Sequence, residues 1–335
     1  MVLIYGRLDD PPLSSTVEAL QDAGVEYVIL EQSALDHEEC VIDVGPCGVD
    51  GVLVVGGQEI PLDSLHSVYA RPLELPSRRW NHLAADHARI LHEQIVEWLD
   101  VSPALVVNRP RAMQANASKP LQIQLIGDAG FLVPQTLITS DEAEARDFWR
   151  QHGRVVYKSV SGVRSIVQEL DDRAAKRLGR LSLLPAQFQE FIPGIDVRVH
   201  VVGDRTFAAE IVGSGIDYRY SARQGGEVTM TATDLPSDVA ERCVMLSRRM
   251  QLPLSGIDLR RRPDGAYVCF EVNPMPAYIY FEGQTGLPIS CALAELLMKG
   301  TTESIEVTDA ASRRESDATC RDDRRSPAAS AAWRL

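Results

Sequence analysis

The sequence predicts an α/β protein with α+β elements, built from two or three subdomains, and three observations carry that expectation. Short β-branched runs alternate with helical stretches over residues 1–105, as in a layered α/β unit with a mostly parallel sheet. Residues 187–299 instead carry hairpin signals, with turn pairs Gly203-Asp204 and Asp264-Gly265 between alternating strands. Finally, 335 residues at 45% hydrophobic content exceed what a single compact core needs.

In chain order, Met1-Val2-Leu3-Ile4-Tyr5-Gly6 reads as a short buried strand, followed by strands at residues 27–30 and 51–55 and helices at 16–23 and 84–99. A second unit, 106–186, begins near Val106-Val107-Asn108 and holds a helix over 119–129 ended by Gly130. Strands at 154–158 and 165–167 and a helix at 171–178 follow. The third unit, 187–299, adds a helix over 237–250 to its hairpins. Residues 300–335 lose apolar periodicity in favour of Thr, Ser, Asp, Arg and Ala, the composition of a disordered tail.

A formal net charge of -13 weighs against a protein that coats nucleic acid or an anionic membrane. The six cysteines (Cys40, Cys47, Cys243, Cys269, Cys291, Cys320) form no CxxC pair, so reduced thiols are expected rather than a zinc site. With no signal-peptide pattern and no apolar run long enough to span a bilayer, the expected compartment is the cytoplasm.

The most informative segment runs from Gly256 to Pro274. A two-residue turn at Asp264-Gly265 would set Leu259 opposite Phe270, Ile257 opposite Val272 and Asp258 opposite Glu271. Alternation then gives the apolar pairs one face, while Asp258, Glu271 and Asn273 share the other. Two facing carboxylates repel unless a cation lies between them, and hard oxygen ligands suit Mg²⁺. The competing reading is a solvated polar face with Arg260 screening the acids.

A magnesium-nucleotide site also needs fixed cations and a slot for the base. Lys158 ends an apolar strand just before Ser159-Val160-Ser161-Gly162, a turn able to bring backbone amides to phosphates. Lys119 opens a helix, where its charge opposes the dipole and an anionic ligand would give it a purpose. Either could equally be a solvated lysine. The stretch Gln187 to Gly194 reads as a strand entering a turn, able to offer backbone groups to an adenine edge while an acid holds the ribose. Asp196, Arg198 and His200 alternate on the next strand, His200 being read as a packed or solvated strand residue. Further on, Arg219 and Arg223 precede Gly225-Gly226 and supply cations for phosphate or substrate, or simply a solvated loop.

In order, Val107-Asn108, Ser118-Lys119-Pro120, Val133 to Leu137, Tyr157-Lys158, Gln189 to Ile192, Asp196-Val197-Arg198, Asp217-Tyr218-Arg219 and Glu271 to Pro274 resemble the ATP-grasp superfamily. The branch is the RimK-like one, which contains the ribosomal-protein glutamate ligase and the peptide maturases that make graspetides. The resemblance implies an ATP-grasp fold with an N-terminal α/β pre-ATP-grasp domain, 1–105, a lid-bearing subdomain, 106–186, and a metal-binding subdomain, 187–299. It implies that Lys119 and Lys158 contact ATP phosphates, that Gln189, Glu190, Phe191 and Ile192 hold adenine, and that Asp196 belongs to the same nucleotide site. It further assigns Asp258, Glu271 and Asn273 to two Mg²⁺ ions, with Mn²⁺ as an alternative, and Arg219 to the phosphorylated intermediate, for which Arg198 and Arg223 are further candidates.

Residues 278–290 and the run Tyr69-Ala70-Arg71-Pro72 are similar to peptide-modifying members, favouring a peptide, protein or amino-acid substrate. Two departures stand out: the loop at 159–164 is short and glycine-poor, and Pro274-Met275-Pro276-Ala277 replaces the Ser-Gly-Gln type run of many graspetide maturases. The expected activity is an ATP-dependent carboxylate-amine or carboxylate-hydroxyl ligase working through an acylphosphate. The alternatives are macrocycle closure in a ribosomal precursor peptide and a non-catalytic ATP-binding regulatory module; homo-oligomers remain open. P-loop, dinucleotide, zinc-protease and nucleophile-elbow signatures are absent.

Overall fold

The computed structural model describes residues 1–46, 48–73, 83–159, 167–213 and 227–301. The N-terminal strands are β1 (Val2–Gly6), β2 (Tyr27–Glu31), β3 (Glu39–Gly45), β4 (Gly48–Val55), β5 (Gln58–Pro61), β6 (Ser67–Arg71) and β7 (Leu105–Val107). Four of them form a parallel sheet in the order β2-β1-β6-β7. Every residue of β1 is buried, because helices cover both faces of the sheet. Val2 and Ile4 pack with Leu13, Val17 and Leu20 of the helix Pro11–Asp22, and with Leu293 and Leu297 of the helix Ile289–Lys299. Leu3 and Tyr5 point the other way, onto Leu91, Ile95 and Trp98 of the helix Leu83–Val101.

One expected member of this layer lies elsewhere. Residues 51–55 belong to β4, which forms a separate antiparallel sheet in the order β3-β4-β5. The reason is local: Gly56 and Gly57, with φ of +57° and +79°, make a two-residue turn that folds the chain back as a hairpin.

The second antiparallel sheet has the order β10-β9-β11-β8, from β8 (Thr136–Thr139), β9 (Val155–Ser159), β10 (Gln168–Glu169) and β11 (Ala186–Glu190). Of the strand expected at 165–167, residues 165 and 166 lie outside the described residues, and pairing with β9 begins at Gln168. The helix expected at 171–178 is cut to one turn, Asp172–Ala175, capped by the Asp171 carboxylate, which accepts from Ala174 N at 2.7 Å. A 3₁₀ turn, Leu178–Ser182, follows, with Gly179 weakening any longer helix while Leu178 and Leu181 enter the core beside Phe188.

The largest sheet runs β14-β13-β12-β15-β16, from β12 (Ile195–Val202), β13 (Arg205–Gly213), β14 (Val228–Thr233), β15 (Leu254–Arg261) and β16 (Tyr267–Asn273). The expected turn at Gly203-Asp204 is present, pairing Val202 with Arg205. On one face, Val197, Val199, Val201, Ile257 and Leu259 pack against Val239, Cys243 and Leu246 of the helix Ser237–Arg249, and Ile126 of the helix Lys119–Asp128 joins them. The other face of β12, β15 and β16 meets the β8–β11 sheet across a cleft.

Among the described residues, Cys40, Cys243, Cys269 and Cys291 are free thiols, and no helix is long and apolar enough to cross a membrane. Arg219, Arg223, Cys47, Cys320, most of the loop at 159–164 and the tail beyond residue 301 lie outside the described residues.

Candidate active site

The hairpin between β15 and β16 brings Asp258 opposite Glu271, as the sequence suggests, but by a different route. The turn has three residues rather than two: Arg262 N donates to Ala266 O at 2.8 Å, and Gly265, at φ +87°, closes a turn back to Arg262. That shifts Leu259 opposite Cys269 instead of Phe270. A β-bulge then absorbs one residue and restores the Asp258–Glu271 and Ile257–Val272 pairings. A bulge breaks alternation, so Phe270 and Glu271 both line the same cleft.

Three cations and an amide surround these two acids. Lys119 Nζ, at the first position of its helix, lies 3.2 Å from Glu271 Oε1, and Lys158 Nζ on β9 lies 3.8 Å from Glu271 Oε2. Arg198 Nη1 donates to Asp258 Oδ1 at 2.5 Å, while Asn273 Nδ2 donates to Asp258 Oδ2 at 3.3 Å. Arg260 does not screen these acids; it pairs with Asp196. The lysines come from two different layers, so Glu271 is where the helix Lys119–Asp128, the β8–β11 sheet and the hairpin meet.

Above the acids opens a cleft. Lys119, Lys158, Gln189, Glu190, Phe191, Ile192, Asp196, Arg198, Asp258 and Glu271 all border it; Asn273 joins through its bond to Asp258. Of the residues expected at the site, only Arg219 and Arg223 cannot be placed among the described residues. The hinge side chains are committed to their own sheet: Gln189 Nε2 donates to Thr136 Oγ1 at 3.0 Å, and Glu190 Oε1 accepts from Gln135 N at 2.8 Å. Their polar ends being engaged, the segment offers a ligand chiefly its backbone and the side chains of Phe191 and Ile192.

Arg198 sits in a socket of its own. Its guanidinium lies 5.5 Å from the Phe281 ring centroid, its Nε donates to His200 Nε2 at 3.4 Å, and a side chain at Gly256 would overlap Nη2. His200, fully buried, is neutral: burial drives its pKa well below the ordinary imidazole value, and the Arg198 charge adds to this. The imidazole is a packed strand residue, as expected.

The donor set fits magnesium. Asp258, Glu271 and Asn273 offer hard oxygen donors, too few to enclose an ion by themselves, which would suit a metal that completes its shell with water and phosphate. Lys119 and Lys158 stand where such phosphates would carry charge.

Sequence reasoning overlooked Gln122 and named Asn108 only as part of a motif, without a role. Gln122, one turn along from Lys119 and 1% exposed, donates from Nε2 to Val272 O at 2.8 Å and accepts from Val272 N at 3.2 Å, pinning the strand between Glu271 and Asn273. The sign was its place three residues after Lys119, on the same helix face. Asn108 likewise bonds Leu254 O at 2.7 Å and the Pro274 carbonyl, tying the start of β15 to the chain leaving β16.

Residues 116–297 match the model of the RimK-like ATP-grasp domain. A probable alpha-L-glutamate ligase of Haemophilus influenzae is 23% identical over 202 residues, which cover 57% of this chain and 66% of that relative, just under two thirds of its length. The ATP-grasp ligase PsnB, solved in complex with a minimal precursor, superposes with a TM-score of 0.74 at 28% identity, covering 89% of this chain and 98% of PsnB. The macrocyclase MdnC from Microcystis aeruginosa MRC, bound to precursor peptide MdnA, has the same fold: TM-score 0.74, 21% identity, 89% of this chain and 99% of MdnC. With more than half of its length matched to that domain and the acids, lysines and cleft in one place, the chain belongs to the RimK-like ATP-grasp family and is an ATP-grasp ligase.

Proposed function

We propose that the protein activates a carboxyl group of a peptide or protein substrate with ATP and joins it to an amine or hydroxyl. The observation that carries this reading is the convergence of Lys119 and Lys158 on Glu271, opposite Asp258, at the base of the cleft lined by the hinge at 189–192. A substrate carboxylate oxygen attacks the γ-phosphorus and ADP departs, leaving an acylphosphate. The nucleophile then attacks the acyl carbon, and inorganic phosphate leaves. Such transfers rest on positioning and charge neutralisation, with no covalent help from the protein.

Lys119 and Lys158 neutralise the phosphates, the hinge at 190–192 and Asp196 hold the nucleoside, and Arg198 receives the acylphosphate, with Arg219 and Arg223 as further candidates. Asp258, Glu271 and Asn273 would hold two Mg²⁺ ions, or Mn²⁺, which would supply charge neutralisation to the phosphate oxygens.

A second reading, ester or amide ring closure within a ribosomal precursor peptide, is supported by PsnB, which matches along 98% of its length and was solved with a precursor. Phosphate release from Mg-ATP should be measured with free amino acids, short peptides and any peptide encoded beside the gene, for wild type and Asp258→Asn. A product heavier by one amino-acid residue supports addition; loss of one water per bond supports ring closure; both vanish in the variant. ATP binding without turnover for any candidate favours a non-catalytic module. Failure to bind Mg-ATP overturns the proposal.

A further inference from the structure

Arg260 lies two residues beyond Asp258 on β15 and therefore on the same side of the strand, facing the cleft. Its side chain is 14% exposed and fully engaged. Nε donates to Asp196 Oδ1 at 2.7 Å, Nη2 lies 2.6 Å from the same oxygen, and Nη1 donates to the Ile192 carbonyl at 2.9 Å. The guanidinium carbon lies 5.3 Å from the Phe270 ring centroid and 5.7 Å from that of Phe191. One planar group thus touches the end of the hinge, the acid on β12 and two aromatic rings bordering the cleft.

The backbone is shaped to allow this. Gly194, at φ +150°, brings the hinge so close to β15 that a Cβ there would overlap the Arg261 carbonyl and crowd Arg260 Cγ. On Phe270, the bulge that offsets the three-residue turn supplies the ring beside the guanidinium. A lysine could not reproduce the arrangement, because its ammonium is a single point charge without a planar fork.

We propose that Arg260 is the positioning residue of the nucleotide site: it fixes the hinge and Asp196 to the strand that carries Asp258, so that the nucleoside end and the metal-phosphate end are set on one ruler. The inference rests on the cleft being the nucleotide site. Asp196, held in this way, receives the ribose hydroxyls, and Arg260 governs how strictly the site recognises them without touching the nucleotide itself.

The test is calorimetric titration of the full chain with Mg-ADP and with Mg-2′-deoxy-ADP, for wild type, Arg260→Met, Arg260→Lys, Asp196→Asn and the double variant Asp196→Asn/Arg260→Met. Wild type should prefer ADP over the deoxynucleotide. Arg260→Met should weaken ADP about ten-fold and erase most of that preference, and Arg260→Lys should follow it, since charge without the fork is insufficient. The double variant should bind no worse than the weaker single variant, because both changes break one unit. Arg260→Lys decides the matter if Arg260→Met does not fold. Wild type that fails to bind Mg-ADP would refute the nucleotide reading itself. Wild type that binds, alongside Arg260 variants of unchanged affinity and unchanged ribose preference, or losses that simply add in the double variant, would overturn the role of Arg260 alone.

Discussion

Replacing Gln122 with methionine removes both hydrogen bonds to Val272 and leaves the volume nearly unchanged, so no cavity term enters. β16 is the edge strand of its sheet; on the side away from β15 it meets an isolated bridge from Leu132 to Val268, and the Gln122 amide serves that side at Val272. Without it, one N–H and one C=O lose their partners at a position that is fully buried. Each such group costs roughly 1–3 kcal/mol, so the local opening free energy should fall by about 3 kcal/mol. Hydrogen exchange followed by mass spectrometry reads this directly: at about 1.4 kcal/mol per decade, amides around Val272 should exchange on the order of a hundred-fold faster. Because Glu271 and Asn273 flank Val272, ATP turnover should drop as well. Unchanged exchange in peptides covering β16, with an unchanged urea midpoint, would refute the view that this side chain holds the acids in place.

Three further outcomes follow from named contacts. Gly256→Ala should push Arg198 from its socket and cut substrate-dependent phosphate release at least ten-fold, by analogy with the loss of one preorganised cation, while Mg-ADP affinity stays close to wild type. His200 is held neutral, so the unfolded chain binds a proton below about pH 6.5 that the native protein does not; stability should fall by about 1.4 kcal/mol per pH unit as pH drops below that point. Urea titrations from pH 7.5 down to 5 should show that His200→Phe lacks this component, and equal slopes for both proteins would contradict it. Among the described cysteines, native alkylation with iodoacetamide should label exposed Cys291 first, because burial pushes the Cys40 thiol up to about 11 and that of Cys243 to about 12, and holds Cys269 well above the ordinary thiol value; labelling of Cys243 or Cys269 ahead of Cys291 by peptide mapping would count against the packing around them.

Much of the site was legible because its signals are covalently local. Asp258 and Glu271 face one another whichever turn is drawn, since the three-residue turn and the Phe270 bulge offset each other. Asp-Gly suits both turn types, and a lone bulge inside an alternating run leaves no mark, so the Leu259 partner and the inward turn of Phe270 were hidden. The fate of residues 51–55 was readable in Gly56-Gly57, had the turn been weighed above the β-branched run before it. Arg260 and Gln122 were opaque for another reason: arginine and glutamine usually face water, and only the approach of distant segments at Asp196, Ile192 and Val272 gives them partners.

The helix Ile289–Lys299 covers the β1 face formed by Val2 and Ile4, packing beside the helix Pro11–Asp22, and its Leu297 carbonyl accepts from Ser67 Oγ at 2.6 Å. During synthesis the parallel sheet is therefore translated before the helix that roofs it. Until that helix clears the ribosome, one apolar face of the sheet lacks part of its cover, so the sheet waits on an element made nearly two hundred residues later. A release that stops short of residue 289 would leave that face only partly covered, and the cell's quality-control machinery would meet the remainder as exposed apolar surface rather than as a finished domain.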